Sequence, residues 1–374
     1  MNVLFIAGWY PNSTFKYQGI FSKKHAHAIK SAGVNIKVLA LTVNHSKKVL
    51  EFKSDFFIDE AGVETLLLEI NSNFYKLFLI SMPLLNFIAK KNFKKHFSKF
   101  KPDIIHSNVL FPAGLLGAKL ASDLNLPHVI TEHWSKADTF MESGWFAKAA
   151  VKACAKAKTV MPVSNYLAKK IEKYIDSQKL IVVPNTVNTS VFKLISQKQK
   201  NNEIVFACLA NWQNPKRPDL IFEALNVFSK TSDKKIRLKS IGGGALIQPL
   251  KNRKWNFEVE FSDFVEAETI VNLFEDVDYL LHASEDETFS IILAEAGVMG
   301  IPMAASKKGA MPELVNSNNG VLTENTIEDW VKAIEKLTSA TYNRKQISEE
   351  MKKLTSYEAV GSKYKEIYSE VVNR

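Results

Sequence analysis

The chain has 374 residues, 46% hydrophobic and 24% charged, an ordinary globular balance too long for one core and suited to two domains. Its net charge of +10 suits phosphorylated or other anionic partners, and with no nucleic-acid module in the sequence, nucleic acid ranks last among them. No apolar run reaches membrane-span length, and the two cysteines, Cys154 and Cys208, lie in apolar contexts without metal-ligand spacing.

Val3 to Ala7 is an apolar run that predicts a buried strand, and with no charged leader or cleavage site a cytoplasmic protein is expected. A polar loop leads to Gly19. A helix over Ile20 to Ala32, stopped by Gly33, and a strand over Asn35 to Leu41 complete a βαβ unit, the mark of a parallel sheet. Val49 to Leu68 reads as strands and loops. Between Asn73 and Lys101 aromatic and aliphatic residues interleave with lysines, and Pro83 breaks or kinks the helix. Such a helix either packs on the core with its lysines wet or lies on an anionic membrane. Further strands fall at Lys101 to His106, Leu126 to His133 and Ala157 to Ser164, with helices from Phe111 to Leu124, Phe146 to Lys156 and Asn165 to Ile175. Parallel sheets hold ligands beyond the carboxyl ends of their strands. His106, Glu132 and His133 stand there, although a strand-end histidine is also an ordinary packing residue.

The polar run Gln197 to Asn202 separates the two halves. A strand over Glu203 to Leu209 precedes a loop with Asn211, Lys216 and Arg217, then a helix over Asp219 to Ser229. The strand Ile236 to Ile241 enters Gly242-Gly243-Gly244, where bare backbone N–H groups can approach a phosphate or ribose. Another strand ends near Phe264 and Val265. A strand over Val277 to His282, a polar turn, a helix from Ile291, a glycine stop at Gly300 and a strand over Ile301 to Ala305 follow. The open N–H groups and dipole at the start of such a helix favour a phosphate. Glu287 lies in the turn and Glu295 in the helix. At helical rise they are at most ~12 Å apart, a reach suited to a sugar and a ribose on either side of a diphosphate. Glu328 to Leu337 is helical, and Tyr357 to Val372 is amphipathic.

These segments together resemble the retaining glycosyltransferases of family 4, which have the GT-B fold. The resemblance rests on Glu287-Thr-Phe-Ser with Glu295-Ala and Gly300-Ile-Pro. It extends through Pro102-Asp-Ile-Ile-His, Thr131-Glu-His, Val163-Ser, Pro184-Asn-Thr-Val-Asn with Phe192, Lys216, the glycine turn, Gly309-Ala-Met-Pro-Glu and Asn319-Gly. It implies two facing Rossmann-like α/β domains with a cleft between them: residues 1–187 for the acceptor, 188–356 for the nucleotide sugar, and a C-terminal helix, 357–374, crossing back to the first. It implies that Glu287 orients the donor sugar, that Glu295 holds the ribose, and that backbone donors at Phe289, Ser290 and Ile291 meet sugar and phosphate. Lys216 would neutralise the diphosphate. Gly19, Gly242, Gly244 and Val265 would lie along the donor, and His133 near the reacting sugar. His106 and Glu132 would belong to the acceptor side. The family arginine is replaced by Asn211, with Arg217 as the candidate to supply its charge.

The expected chemistry is transfer of a hexose from a UDP- or GDP-sugar to a glycan or lipid-linked acceptor in surface polysaccharide synthesis. Configuration would be retained, with no metal or cofactor, in the cytoplasm, with peripheral contact at the inner face of the membrane as the alternative setting of the lysine-rich helix. Two other readings stay open: a nucleotide-sugar epimerase on the same fold, and a binding or scaffold protein whose donor site has decayed, for which Asn211 is the supporting feature.

Overall fold

The computed structural model describes residues 1–143, 145–196 and 202–373, so the expected linker Gln197 to Asn202 lies outside the described residues save for Asn202. The chain forms two compact units, Met1–Thr186 with the C-terminal helix, and Val187–Ser356.

The first unit contains β1 (Asn2–Ala7), α1 (Ile20–Ser31), β2 (Asn35–His45), β3 (Glu51–Ile58), β4 (Glu64–Ser72), α2 (Tyr75–Ile80), α3 (Met82–His96), β5 (Ile104–Asn108), α4 (Leu115–Leu124), β6 (His128–Glu132), α5 (Ala137–Glu142), α6 (Ala147–Lys156), β7 (Thr159–Pro162) and α7 (Asn165–Ile171). Its sheet runs β3-β4-β2-β1-β5-β6-β7, parallel throughout except that β3 pairs antiparallel with β4 at one edge. Successive strand residues point to opposite faces. Val3, Phe5 and Val38 therefore pack with α1 on one side, while Leu4, Ile6 and Leu39 pack with α3 and α4 on the other.

The lysine-rich stretch is two helices rather than one, divided at Ser81. Pro83 falls in the first turn of α3, where its missing N–H costs no intrahelical bond. The helix expected from Phe111 begins at Leu115 instead, after a separate turn over Leu110–Gly114.

The second unit contains β8 (Glu203–Leu209), α8 (Pro218–Phe228), β9 (Lys235–Ile241), α9 (Gln248–Lys251), β10 (Glu258–Ser262), α10 (Ala267–Phe274), β11 (Tyr279–His282), α11 (Ile291–Val298), β12 (Met303–Ser306), β13 (Gly320–Thr323), α12 (Ile327–Ser339) and α13 (Arg344–Thr355). Its all-parallel sheet runs β10-β9-β8-β11-β12-β13 around a core that includes Phe206, Trp212, Phe222, Leu238 and Trp330. The last helix, α14 (Tyr357–Asn373), packs on α1 and places Val360, Tyr364, Ile367 and Tyr368 in the first unit's core. Among the described residues no helix is long and apolar enough to cross a membrane.

Candidate active site

In the second unit the polar turn after β11 is tied down before its side chains do anything. The loop after β8 runs alongside it: Arg217 N–H donates to the Ala283 carbonyl (3.0 Å) and Glu285 N–H to the Pro215 carbonyl (2.9 Å). From the other side the Ser306 hydroxyl accepts from Ser284 N–H (3.0 Å) and donates to Asn325 Oδ1 (2.6 Å), while Asn325 donates back to the Ser284 carbonyl (3.2 Å). Ala310 N–H donates to the Glu287 carbonyl (2.8 Å). Three segments distant in sequence thus hold residues 284–287 in place.

On this frame Lys216 Nζ and His282 Nε2 both approach Oε1 of Glu287, the histidine at 2.8 Å. Oε2 lies outside both contacts. Burial disfavours the Glu287 carboxylate, but the His282 hydrogen bond and the Lys216 charge outweigh it and bring the pKa down to about 2. Burial likewise lowers the His282 pKa, against the pull of Glu287, so the ring is neutral at neutral pH and donates from Nε2. The site is therefore a fixed anion and a fixed cation side by side.

α11 starts at Ile291, four residues after Glu287. Its N-cap, Ser290, has φ 72°, unusual for a side-chain-bearing residue, and makes no capping bond. The buried Ser290 hydroxyl has no partner, nor has the buried Asp286 Oδ1 in the same turn. Two unpartnered buried polar atoms and a positive φ thus coincide at the N-terminus of α11. Phe289 is buried, Ile291 half-buried, and Glu295 lies within α11, nearly buried.

The glycine turn after β9 is explained by the chain itself. A Cβ at Gly242 would fall 2.0 Å from the Ala210 carbonyl oxygen, and one at Gly244 2.3 Å from that of Trp212. The glycines let the segment bearing Asn211 lie against the turn, and Trp212 N–H bonds the Gly243 carbonyl at 2.8 Å. Asn211 is exposed. Val265 is half-buried in the loop after β10, beside the exposed Phe264. Arg217 corrects the expectation placed on it: its guanidinium is taken by both oxygens of Asp219 (2.6–3.1 Å) and by Glu285 (2.8 Å), so it does not stand in for the missing family arginine.

In the first unit Gly19 caps α1 at φ 67°, with its Cα so close to Trp9 that a Cβ would overlap that residue's carbonyl carbon at 2.2 Å. One turn into α1, the Ser22 hydroxyl donates to Asn108 Oδ1 (2.8 Å), which turns the Asn108 amide nitrogen onto His133 Nε2 (3.0 Å). The His133 ring lies against Phe21 at 4.3 Å, and its buried Nδ1 has no hydrogen-bond partner. Burial, then the neighbouring His25, keep its pKa well below the usual histidine value, opposed by Asn185. His133 is thus a neutral ring with its proton on Nδ1.

Two acceptor-side expectations are corrected. His106 is wholly buried, with Nδ1 on the Tyr368 hydroxyl (2.6 Å) and Nε2 on Thr131 (2.7 Å), so it faces protein on both sides. Glu132 is also buried: its oxygens accept from the N–H groups of Leu110, His133 and Trp134, each at 2.7 Å. Burial pushes its pKa up to about 7 against those three donors. It shapes the loops beside His133 and presents no free oxygen to an acceptor. His282, Ser306 and Asn325 are site residues that the sequence reading missed. Only His282 gave a signal, a lone histidine closing an apolar strand five residues before Glu287.

A family model for Glycosyltransferase Family 4 matches residues 23–191, and one for Glycosyl transferases group 1 matches 191–354. This chain belongs to glycosyltransferase family 4. Among curated relatives, an uncharacterized glycosyltransferase of Methanocaldococcus jannaschii is 25% identical over 280 residues, covering 72% of this chain and 76% of that protein. A phosphatidylinositol N-acetylglucosaminyltransferase component of Arabidopsis thaliana is 26% identical over 51% of this chain, and the putative teichuronic acid biosynthesis glycosyltransferase TuaC of Bacillus subtilis 25% over 46%. The matches span less than half of those two relatives, 44% and 46%. The fold is that of GT-B glycosyltransferases. Sucrose-phosphate synthase from Thermosynechococcus elongatus superposes with a TM-score of 0.75 at 15% identity, covering 100% of this chain and 99% of that one. HepE from Anabaena in complex with UDP superposes with 0.71 at 15% identity, covering 99% and 100%. This family 4 chain is a glycosyltransferase with two parallel-sheet domains.

Proposed function

We propose that this glycosyltransferase takes a hexose from a nucleoside-diphosphate sugar, UDP- or GDP-linked, and passes it with retained configuration to a glycan or lipid-linked acceptor. The observation that carries the donor reading is the Lys216–Glu287 pair beside a strained helix start whose Ser290 hydroxyl has no protein partner. The UDP complex of the structurally similar HepE supports a uridine donor. In this reading Lys216 and the α11 N–H groups stabilise the leaving diphosphate, an electrostatic contribution that needs no metal. Glu287 Oε2 accepts from a sugar hydroxyl, and Glu295 accepts from the ribose. The bond from the anomeric carbon to the phosphate oxygen breaks and one to the acceptor oxygen forms on the same face. The acceptor proton passes to the departing phosphate. His133 Nδ1–H donates to an oxygen of the reacting sugars.

A surface-polysaccharide role is supported by the likeness to TuaC. Contact with an anionic membrane belongs to the same proposal. α2 and α3 expose Leu77, Leu84 and Phe87, and an apolar groove of about 600 Å³ between α3, α4 and α6 is edged by Lys119, Lys152 and Lys156.

The test is a thermal-shift screen of nucleotide sugars, with and without EDTA, on the parent and on Glu295→Ala. Native-state binding raises the melting temperature by mass action. One sugar nucleotide is expected to stabilise the parent in EDTA and not the variant, and the anomeric configuration of its transfer product is then read by NMR. No shift with any donor at millimolar concentration would overturn the reading in favour of a scaffold. Turnover of the donor without an acceptor would favour the epimerase.

A further inference from the structure

The first sheet ends at β3, and among the described residues no strand lies beyond it. Edge strands in soluble proteins are ordinarily short, covered or blunted by charge, because their unpaired N–H and C=O groups invite another chain. β3 has eight residues and is open: Phe52, Phe56 and Ile58 are 46%, 43% and 66% exposed, and Leu50 just before it 54%. By strand alternation Phe52, Ser54, Phe56 and Ile58 share one face, and Glu51, Lys53, Asp55 and Phe57 the other.

We propose that β3 is a dimer interface, pairing antiparallel with β3 of a second copy about a twofold axis at Ser54. The register follows from the sequence. A twofold antiparallel pair keeps each face on its own side, so the axis falls at a residue rather than between two. An axis at Lys53 sets lysine opposite lysine, and one at Asp55 sets aspartate opposite aspartate. Both are repulsive. An axis at Ser54 sets Lys53 of each copy opposite Asp55 of the other. It also sets Phe52 opposite Phe56, and Leu50 opposite Ile58. One face of the junction becomes an aromatic and aliphatic ladder, and the other carries two ion pairs. Asp55 has no ion pair among the described residues, so it is free to take one, while Lys53 reaches only Glu51 at 3.4 Å and the Ser13 hydroxyl at 3.3 Å. A lone lysine on an edge repels a second edge; a lysine with an aspartate two residues on selects a copy of itself. The two seven-stranded sheets join into one, and both β3 edges are covered.

The experiment uses the full chain. In Ser54→Cys the introduced thiol meets its own copy across the axis at a Cα separation of about 4.5–5.5 Å, within disulfide range. Cys154 and Cys208 are buried, with thiol pKa values pushed up to about 12, and do not compete. Mild oxidation is expected to convert Ser54→Cys to a covalent dimer at micromolar concentration, and the control Asp233→Cys, exposed in the second unit, to stay largely uncrosslinked. In light scattering coupled to size exclusion the parent is expected to be a dimer. Lys53→Asp should raise its dissociation constant about tenfold or more, and Lys53→Asp with Asp55→Lys should bring it back. Unchanged thermal melting of each variant shows that the fold is intact. A monomeric parent, crosslinking no faster than in the control, or a charge swap that fails to restore pairing would each overturn the interface.

Discussion

Lys216 and Glu287 form an ion pair although 71 residues separate them, because the loops after β8 and β11 run side by side at the ends of adjacent strands. The pair puts a fixed cation next to a fixed anion at the start of α11. In Glu287→Gln the shape is kept and the charge removed, leaving Lys216 without its counter-ion. The expected result is a stability loss of about 1–3 kcal/mol and a rate lowered about 10²–10³-fold, read by calorimetry and initial rates. The folded pKa is depressed to about 2, so Glu287 contributes its full stability above the unfolded value of 4.5 and loses it as pH falls from there through 2. The acid limb of a rate–pH profile should therefore not track this carboxylate.

Acid lability should instead begin with histidine. His25, His106, His128, His133 and His282 are buried with lowered pKa values, His25 to about 4 and His128 to about 3. Between those values and 6.5 the unfolded chain binds the extra protons, so stability is full above 6.5 and falls as pH drops. The slope is about 1.4 kcal/mol per pH unit for each histidine titrating in the unfolded state. Glu132, raised to about 7, works in the opposite sense, since its stability contribution declines as pH rises from 4.5 through 7. With five groups against one, the melting temperature should drop between pH 7 and 5. A flat profile would contradict the buried neutral assignments.

Ser290 is expected to separate stability from binding. Ser290→Gly relieves a positive φ and removes an unpartnered buried hydroxyl, and should raise the stability of the free protein by about 1 kcal/mol. If the hydroxyl meets the donor, KM for the nucleotide sugar rises about tenfold in the same variant. Gain in both properties would remove Ser290 from the donor site.

Replacing Lys90, Lys91, Lys94 and Lys95 by Gln should lower affinity for anionic vesicles by at least about tenfold, at about 1 kcal/mol per lysine near the surface. Lys90 is partly committed to Asp123, so its share should be the smallest. Sedimentation with vesicles of anionic and zwitterionic lipid reads the effect; equal binding by variant and parent ends the membrane proposal.

The parallel sheets were legible because buried strands alternating with amphipathic helices leave a strong local pattern, as in Val3 to Ala7, Ile20 to Ala32 and Asn35 to Leu41. Glu287 and Lys216 were legible only through the family resemblance, since neither spacing nor composition joins residues so far apart. What the sequence hid was who occupies whom. Arg217 has two carboxylates against it, His106 is spent on Tyr368 and Thr131, and Glu132 on three backbone N–H groups. A polar residue at a strand end looks the same in sequence whether it serves a ligand or its own loops, and only long-range contacts distinguish the two. The edge position of β3 was hidden for the same reason.

α14 also sets an order of assembly. Tyr368 donates to His106, which donates to Thr131, which donates to Tyr364, which donates to His25, which donates to Asn185: each proton is used once and every step is 3.0 Å or less. Two of those hydroxyls leave the ribosome only after the whole second unit has been made. Until they arrive, the nascent first unit holds two buried histidines with empty partners, while the second unit, translated in between, has all of its own strands and can close first. Completion of the amino-terminal half therefore waits on the carboxyl-terminal turns of the chain, and truncation before Tyr357 should damage the domain made earliest.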